Sequence, residues 1–510
     1  MKVSFLVATL LVTLVAAEPK HNHKEVASFH HNQGNTKWLV DKIKLNNLLK
    51  HAEKLNGFAK KHQNTRAFST EGHKLTIKYI QEITKKAGYK VKLQPFTARF
   101  SHTVSQKLTV LGDKKKNIDI PIFAMTNSAS TPKKGVTAEF AVVPDVAGEK
   151  GTTGCEDGDY KDVNVKGKIA LIERGGCSFN NKSLIAGKHG AIGVVVFNNV
   201  PNEPVRGTLG NENISKIPTG GITQESGKQL IELSKSKKVK LNLNLVQINE
   251  DRKTYNVIAE TKHGDPNNVV VVGAHSDSVV DGPGLNDNGS GSIALLEVAY
   301  QMRNAKPKNK VRFIWFSAEE FGLLGSEHYV KQLSKEEIKK IAVMLNFDMI
   351  ASPNYRINVY NGDSDNTPLP PGSEKVTQLF VDYFKKNKIA YVADKFPYSR
   401  SDVGPFAAAG IPSGGVDTGA EGKKSKEEEK LFGGKAGEAY DKCYHAACDN
   451  IKNLNKKAFI TNAKAIAHGI AYYQKDVSSV RNPKVKRDFV ARAADKEHTH
   501  SGDGCAPARE

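Results

Sequence analysis

Five short segments of the chain offer side chains that bind metal ions: His275 in AHSDS, Asp287 in GLNDNGSG, Glu320 in SAEE, Asp348 in NFDMI and His445 in CYHAACD. Taken singly, a histidine or acid after an apolar run reads more readily as a loop residue capping a turn. Five such residues within one stretch of chain form a set. Imidazole mixed with carboxylate is a donor combination that suits zinc, and a carboxylate shared by two ions suits a pair about 3.5–4 Å apart. The chemistry open to such a set is hydrolysis by activated water, because zinc lowers the pKa of a bound water towards about 7.

The elements that position these residues follow from hydrophobic patterning. NNVVVVGAH, KVRFIWFSAEE and IAVMLNFDMI are nearly continuous apolar runs that end in polar clusters, the signature of strands buried on both faces. The candidate ligands therefore gather at the carboxyl ends of parallel strands, where open α/β sheets bind ligands. Upstream, Leu45, Leu48, Leu49, Leu75, Tyr79 and Ile83 recur at helical spacing, and Gly88 ends a helix before the strand-like YKVKLQPF. Between residues 128 and 246 the texture changes to short β runs broken by glycine, which marks an insert. The fold class is α/β, with peptide segments 36–127 and 247–480 forming one domain around the 128–246 insert.

The order and wording of HSD, NDNGSG, AEE, NFDMI and CYHxxCD resemble the family of di-zinc aminopeptidases, fungal vacuolar and secreted bacterial, over residues 38 to 475. The insert pattern GCEDGDY...GKIALIERGGCSFNN resembles the protease-associated domain that some of these enzymes carry. The resemblance implies a mixed eight-stranded sheet sandwiched by helices and two zinc ions bridged by Asp287. It places His275 and Asp348 on one ion and Glu320 and His445 on the other. It casts Glu319 as general base, Asp277 as the carboxylate orienting His275, and Tyr444 as donor to the oxyanion. From spacing alone, Asp277 reads equally as a turn cap and Tyr444 as a core tyrosine. In SRSDVGPF, Arg400 is a candidate for positioning substrate, and Asp402 either supports the metal site or caps the next helix. The implied activity is removal of amino-terminal residues, leucine among them, from peptides. A carboxypeptidase on the same scaffold would need a basic cluster for the substrate carboxylate, which Arg400 alone does not supply.

The chain of 510 residues, with 39% hydrophobic and 25% charged residues, is long enough for more than one domain and too apolar to be disordered. Residues 1–17 join Lys2, an apolar run and Ala16-Ala17, a signal peptide too short to span a bilayer, so a secreted or vacuolar destination is expected. Residues 18–35 read as a propeptide or arm, and 481–510 as a charged tail with a processing site at Lys486-Arg487. Disulfides are then permitted: Cys155 with Cys177 and Cys443 with Cys448 are locally plausible pairs, leaving Cys505 over. Sequons at Asn181 and Asn213 fit glycosylation, whereas Asn288, inside a ligand motif, is expected to stay unused. The net charge of +21 comes from lysines scattered along the chain without aromatic interleaving, which reads as a solvated surface and not as a nucleic-acid site.

Overall fold

The computed structural model describes residues 35–112, 117–210, 213–236, 239–364 and 367–482. The expected leader at 1–17, all but the last residue of the expected arm at 18–35, the expected processing site at Lys486-Arg487 and Cys505 lie outside the described residues. The strands are β1 (Lys90–Leu111), β2 (Ile118–Ile120), β3 (Phe123–Ala124), β4 (Val136–Val142), β5 (Ile169–Glu173), β6 (Gly193–Phe197) and β7 (Thr219–Ile222). They are followed by β8 (Lys240–Glu260), β9 (Asp265–His275), β10 (Asn309–Phe316), β11 (Ile341–Phe347), β12 (Asn358–Val359) and β13 (Ser413–Asp417).

The sheet runs in the order β12-β13-β11-β9-β10-β8 and continues through β4-β5-β6-β7-β3, while β1 pairs with β8 and β2 with β1. Strands β13, β11, β9 and β10 are mutually parallel, and β8 and β12 run antiparallel to them. The sheet is therefore mixed, as the resemblance implies. Its passage into the insert, which brings the ladder to 13 strands among the described residues, depends on β8. One end of β8 pairs with β10, Val257 opposite Trp315, and the other with β4, Leu243 opposite Val136. Alternating Leu241, Leu243 and Leu245 are buried at the insert end, Val257 and Ala259 at the other. The boundary placed between residues 246 and 247 falls inside this strand.

Val269–Val272 and Ile341–Phe347 are buried throughout, as strands covered on both faces must be. The helix Gly289–Gln301 is buried at every position from Gly289 to Ala299, the polar Ser290, Ser292 and Glu297 included. It packs on β9 and between the helices Leu45–Lys61 and Lys456–Tyr473. Gly291 lets the start of this helix lie against the end of β11: a Cβ there would sit 2.2 Å from the Phe347 carbonyl oxygen. In the insert, the parallel strands β4 to β7 bury Leu171 and Val195 on one face and Ile172 and Val196 on the other. Cys155 and Cys177 are disulfide-bonded beside them. No helix of the described residues is long and apolar enough to cross a membrane.

Candidate metal centre

The parallel order β11-β9-β10 brings three strand ends side by side. His275 is the last residue of β9, Asp348 directly follows β11, and Glu319 and Glu320 lie in the turn beyond β10. Asp287 enters from the turn before the helix Gly289–Gln301. Asn288 caps that helix, its Oδ1 accepting the Gly291 N–H at 3.0 Å and its Nδ2 donating to the Phe347 carbonyl at 2.9 Å. His445 arrives on a loop after β13 that the Cys443–Cys448 disulfide brackets.

Two clusters result, His275/Asp287/Asp348 and Asp287/Glu320/His445, each with its donor atoms within 4.8 Å of one another. Asp287 serves both through different oxygens. Its Oδ1 is 3.3 Å from His275 Nε2, and its Oδ2 is 3.1 Å from His445 Nε2. Asp348 Oδ1 lies 3.4 Å from His275 Nε2, and Glu320 Oε2 lies 2.9 Å from His445 Nε2. Sharing one carboxylate between two donor sets is the arrangement of a bridged two-metal centre. Asp277 stands behind the first set, its Oδ1 3.7 Å from His275 Nδ1 and accepting the Glu319 backbone N–H at 3.3 Å.

The electrostatics fit a cationic occupant. Asp277, Asp287, Glu319, Glu320 and Asp348 are packed against two imidazoles, a surplus of buried acid that a dry site does not tolerate without positive charge. Among the described residues Glu320 Oε1 and Asp348 Oδ1 are buried without a hydrogen-bond partner, lone pairs that suit a metal. Burial opposes the charging of His275, but Glu319 and Asp348 outweigh it and hold this imidazole well above its usual range. Burial likewise drives the Glu319 carboxyl well above the carboxylate range, with His275 pulling the other way. Three non-glycine residues at the site adopt left-handed backbone: Ala318 (φ 59°) before Glu319, Met349 (φ 50°) after Asp348, and His445 itself (φ 55°). Such conformations cost about 1–3 kcal/mol each and persist where surrounding packing imposes them.

The other expected residues lie as follows. The Tyr444 ring stacks on His445 with centroids 3.8 Å apart, and Arg400 Nη2 donates to the Tyr444 hydroxyl at 3.1 Å. Arg400 Nη1 is engaged by Glu421 at 2.6 Å. Asp402 precedes the helix Val403–Ala408 but makes no side-chain cap to it, and burial pushes its carboxyl up to about 7. Asn288 is fully buried. Asn181 is half-buried and Asn213 exposed, both in the insert.

Comparison with known proteins agrees with this geometry. The model of peptidase family M28 matches residues 256–470, and that of the PA domain matches residues 136–230. Leucine aminopeptidase 2 of Trichophyton equinum is 43% identical over 473 residues, covering 92% of this chain and 91% of that protein. The chain belongs to peptidase family M28. Among solved structures, the aminopeptidase from Aneurinibacillus sp. strain AM-1 is 26% identical with a TM-score of 0.65, covering 85% of this chain and 95% of its own. The zinc aminopeptidase BSAP from Bacillus subtilis is 26% identical with a TM-score of 0.60, covering 82% and 94%.

This M28 member also builds its centre from residues that the sequence did not single out. Ser401 Oγ donates to Asp348 Oδ2 at 2.7 Å. Asp441 and Asp449, linked through Asn286 and Asn453, hold the turn that carries Asp287. Arg66 and His73 reach Ser276, the residue after His275, from the N-terminal part of the chain. Asp449 was within sight as the last residue of CYHAACD, whereas nothing in the spacing near Arg66 marks it.

Proposed function

We propose that this M28 peptidase is a zinc aminopeptidase, secreted or vacuolar, that removes the amino-terminal residue of peptides with leucine among those preferred. The observation that carries this reading is Asp287, one oxygen turned to each of two His/carboxylate sets, with buried Glu319 Oε2 3.7 Å from His275 Nε2. His275 and Asp348 would hold one zinc, Glu320 and His445 the other, with Asp287 shared between the two sets. Bound zinc supplies a Lewis acid that polarises the scissile carbonyl and makes water acidic enough to give up a proton near neutral pH.

Glu319 takes the proton of the attacking water at its carboxylate and delivers it to the leaving amine nitrogen, so peptide C–N cleavage needs no net proton from solvent. Tyr444 donates its hydroxyl hydrogen to the oxygen that becomes negative as the carbonyl is attacked, with Arg400 holding that hydroxyl in place. Asp277 fixes the Glu319 backbone and the back of His275. The acidic surround favours the free α-ammonium of the substrate, so a blocked amino terminus should fail.

The test is hydrolysis of leucine p-nitroanilide beside its N-acetylated counterpart, before and after chelation and again after zinc is restored. Cleavage confined to the free amine, abolished by chelator and recovered with zinc, is expected. Cleavage of the blocked substrate, or of neither, would refute the reading.

A further inference from the structure

Arg66 is fully buried, and its guanidinium lies against the segments that lead to Asp287 and follow His275. Its three hydrogen bonds go to main-chain carbonyls: Nη1 to Ser276 at 2.6 Å, Nη2 to Gly284 at 2.5 Å and Nε to Pro283 at 2.8 Å. A buried cation ordinarily calls for a carboxylate in direct contact. Among the described residues Arg66 has none, and the acids nearest in effect are Asp277, Asp449, Asp287 and Glu320, all acting at longer range. The positions of the three carbonyls give the arrangement its meaning. Ser276 is the residue after His275, and Gly284 opens the turn that ends in Asp287. Gly284 has φ +58°, and a Cβ there would lie 2.2 Å from the Asp287 carbonyl oxygen, so this turn is tightly wound.

We propose that Arg66 is a positioning residue of the metal centre, whose planar fork ties the His275 loop to the Asp287 turn and thereby sets the distance between the ligands of the two ions. This inference rests on the reading of the clusters as a zinc centre. The fork matters because one guanidinium presents several donors in fixed directions, which a lysine ammonium cannot imitate. The segment itself is anchored: the Arg66 N–H donates to Ser278 Oγ at 2.9 Å, and Thr65 Oγ1 donates to the Val279 carbonyl at 2.8 Å. A clamp and a mere charge predict opposite effects. Removing a positive charge near a cation site tightens zinc binding, whereas removing a clamp loosens it.

The experiment titrates metal-free wild type, Arg66→Lys and Arg66→Met with zinc against a competing chelator. Thermal midpoints are recorded with and without metal, and absorption spectra are taken of the cobalt-loaded proteins. Both variants are expected to bind zinc about 10- to 100-fold more weakly, the range seen when groups supporting metal ligands are lost. Altered cobalt bands are expected with both, and lysine should not rescue. Unchanged or tighter zinc affinity, an unaltered cobalt spectrum with equal falls in both midpoints, or full rescue by Arg66→Lys would overturn the proposal. Should Arg66→Met fail to fold, Arg66→Lys, which keeps the buried charge, carries the comparison. Failure of the wild type to bind zinc would instead sink the metal reading on which the proposal stands.

Discussion

Asp449 holds Asp287 by its backbone: Asp449 Oδ2 accepts the Asp287 N–H at 3.0 Å, and Oδ1 accepts the N–H of Asn286 at 2.9 Å. The carboxylate thus spans both peptide groups of the turn that presents the shared ligand. Asp449→Ala leaves these buried N–H groups without acceptors and frees the turn. Because Asp287 serves both clusters, both zinc ions should be held about 10- to 100-fold more weakly. Asp449→Asn, whose amide oxygen still accepts, should lose less. Metal content after dialysis against graded chelator checks this, and loss of a single ion would contradict the shared role.

Glu319→Gln keeps shape and burial but removes the proton acceptor. We expect kcat for leucine p-nitroanilide to fall by about 10²- to 10⁴-fold while KM and zinc content stay near wild type. Turnover within a few-fold of wild type would remove Glu319 from the mechanism.

The contact between Arg400 and Tyr444 makes the two substitutions dependent on each other. Tyr444→Phe should lower kcat by about 10²- to 10³-fold, as for loss of one oxyanion donor. Arg400→Met should lower it less, and the double variant should be no worse than Tyr444→Phe alone. If Arg400 instead binds substrate independently, its effect appears in KM and the two losses multiply.

Outside the two donor clusters, His468 is buried under a Tyr383 ring at 4.5 Å, with Nδ1 2.8 Å from Thr36 Oγ1. Burial pushes its imidazole down to about 4, with Lys386 acting in the same direction. The unfolded chain, titrating near 6.5, therefore takes up a proton that the folded state refuses, and stability falls as pH drops from about 6.5 towards 4. The thermal midpoint of the metal-free protein should fall across this window, and less steeply in His468→Gln. An equal slope in both proteins would assign the acid sensitivity elsewhere.

The ligand types were legible in the sequence because metal chemistry admits few side chains, and the strands that carry His275, Glu320 and Asp348 announced themselves as unbroken apolar runs. A strand buried on both faces must end where its polar residues begin, so the ligands could be placed at the carboxyl ends of neighbouring strands without coordinates. The sharing of β8 between sheet and insert was not legible, since its alternating pattern is the same whichever strand lies beside it. Nor was the way Asp402 sits buried without capping its helix, because capping depends on a backbone geometry that residue type permits and does not compel. Arg66 shows the limit most plainly: its partners are main-chain oxygens 210 and 218 residues away at Ser276 and Gly284, and a carbonyl leaves no trace in the identity of the residue that bears it. Residue types determined which chemistry this chain could perform, and the folding together of distant backbone decided the spacing at which it performs it.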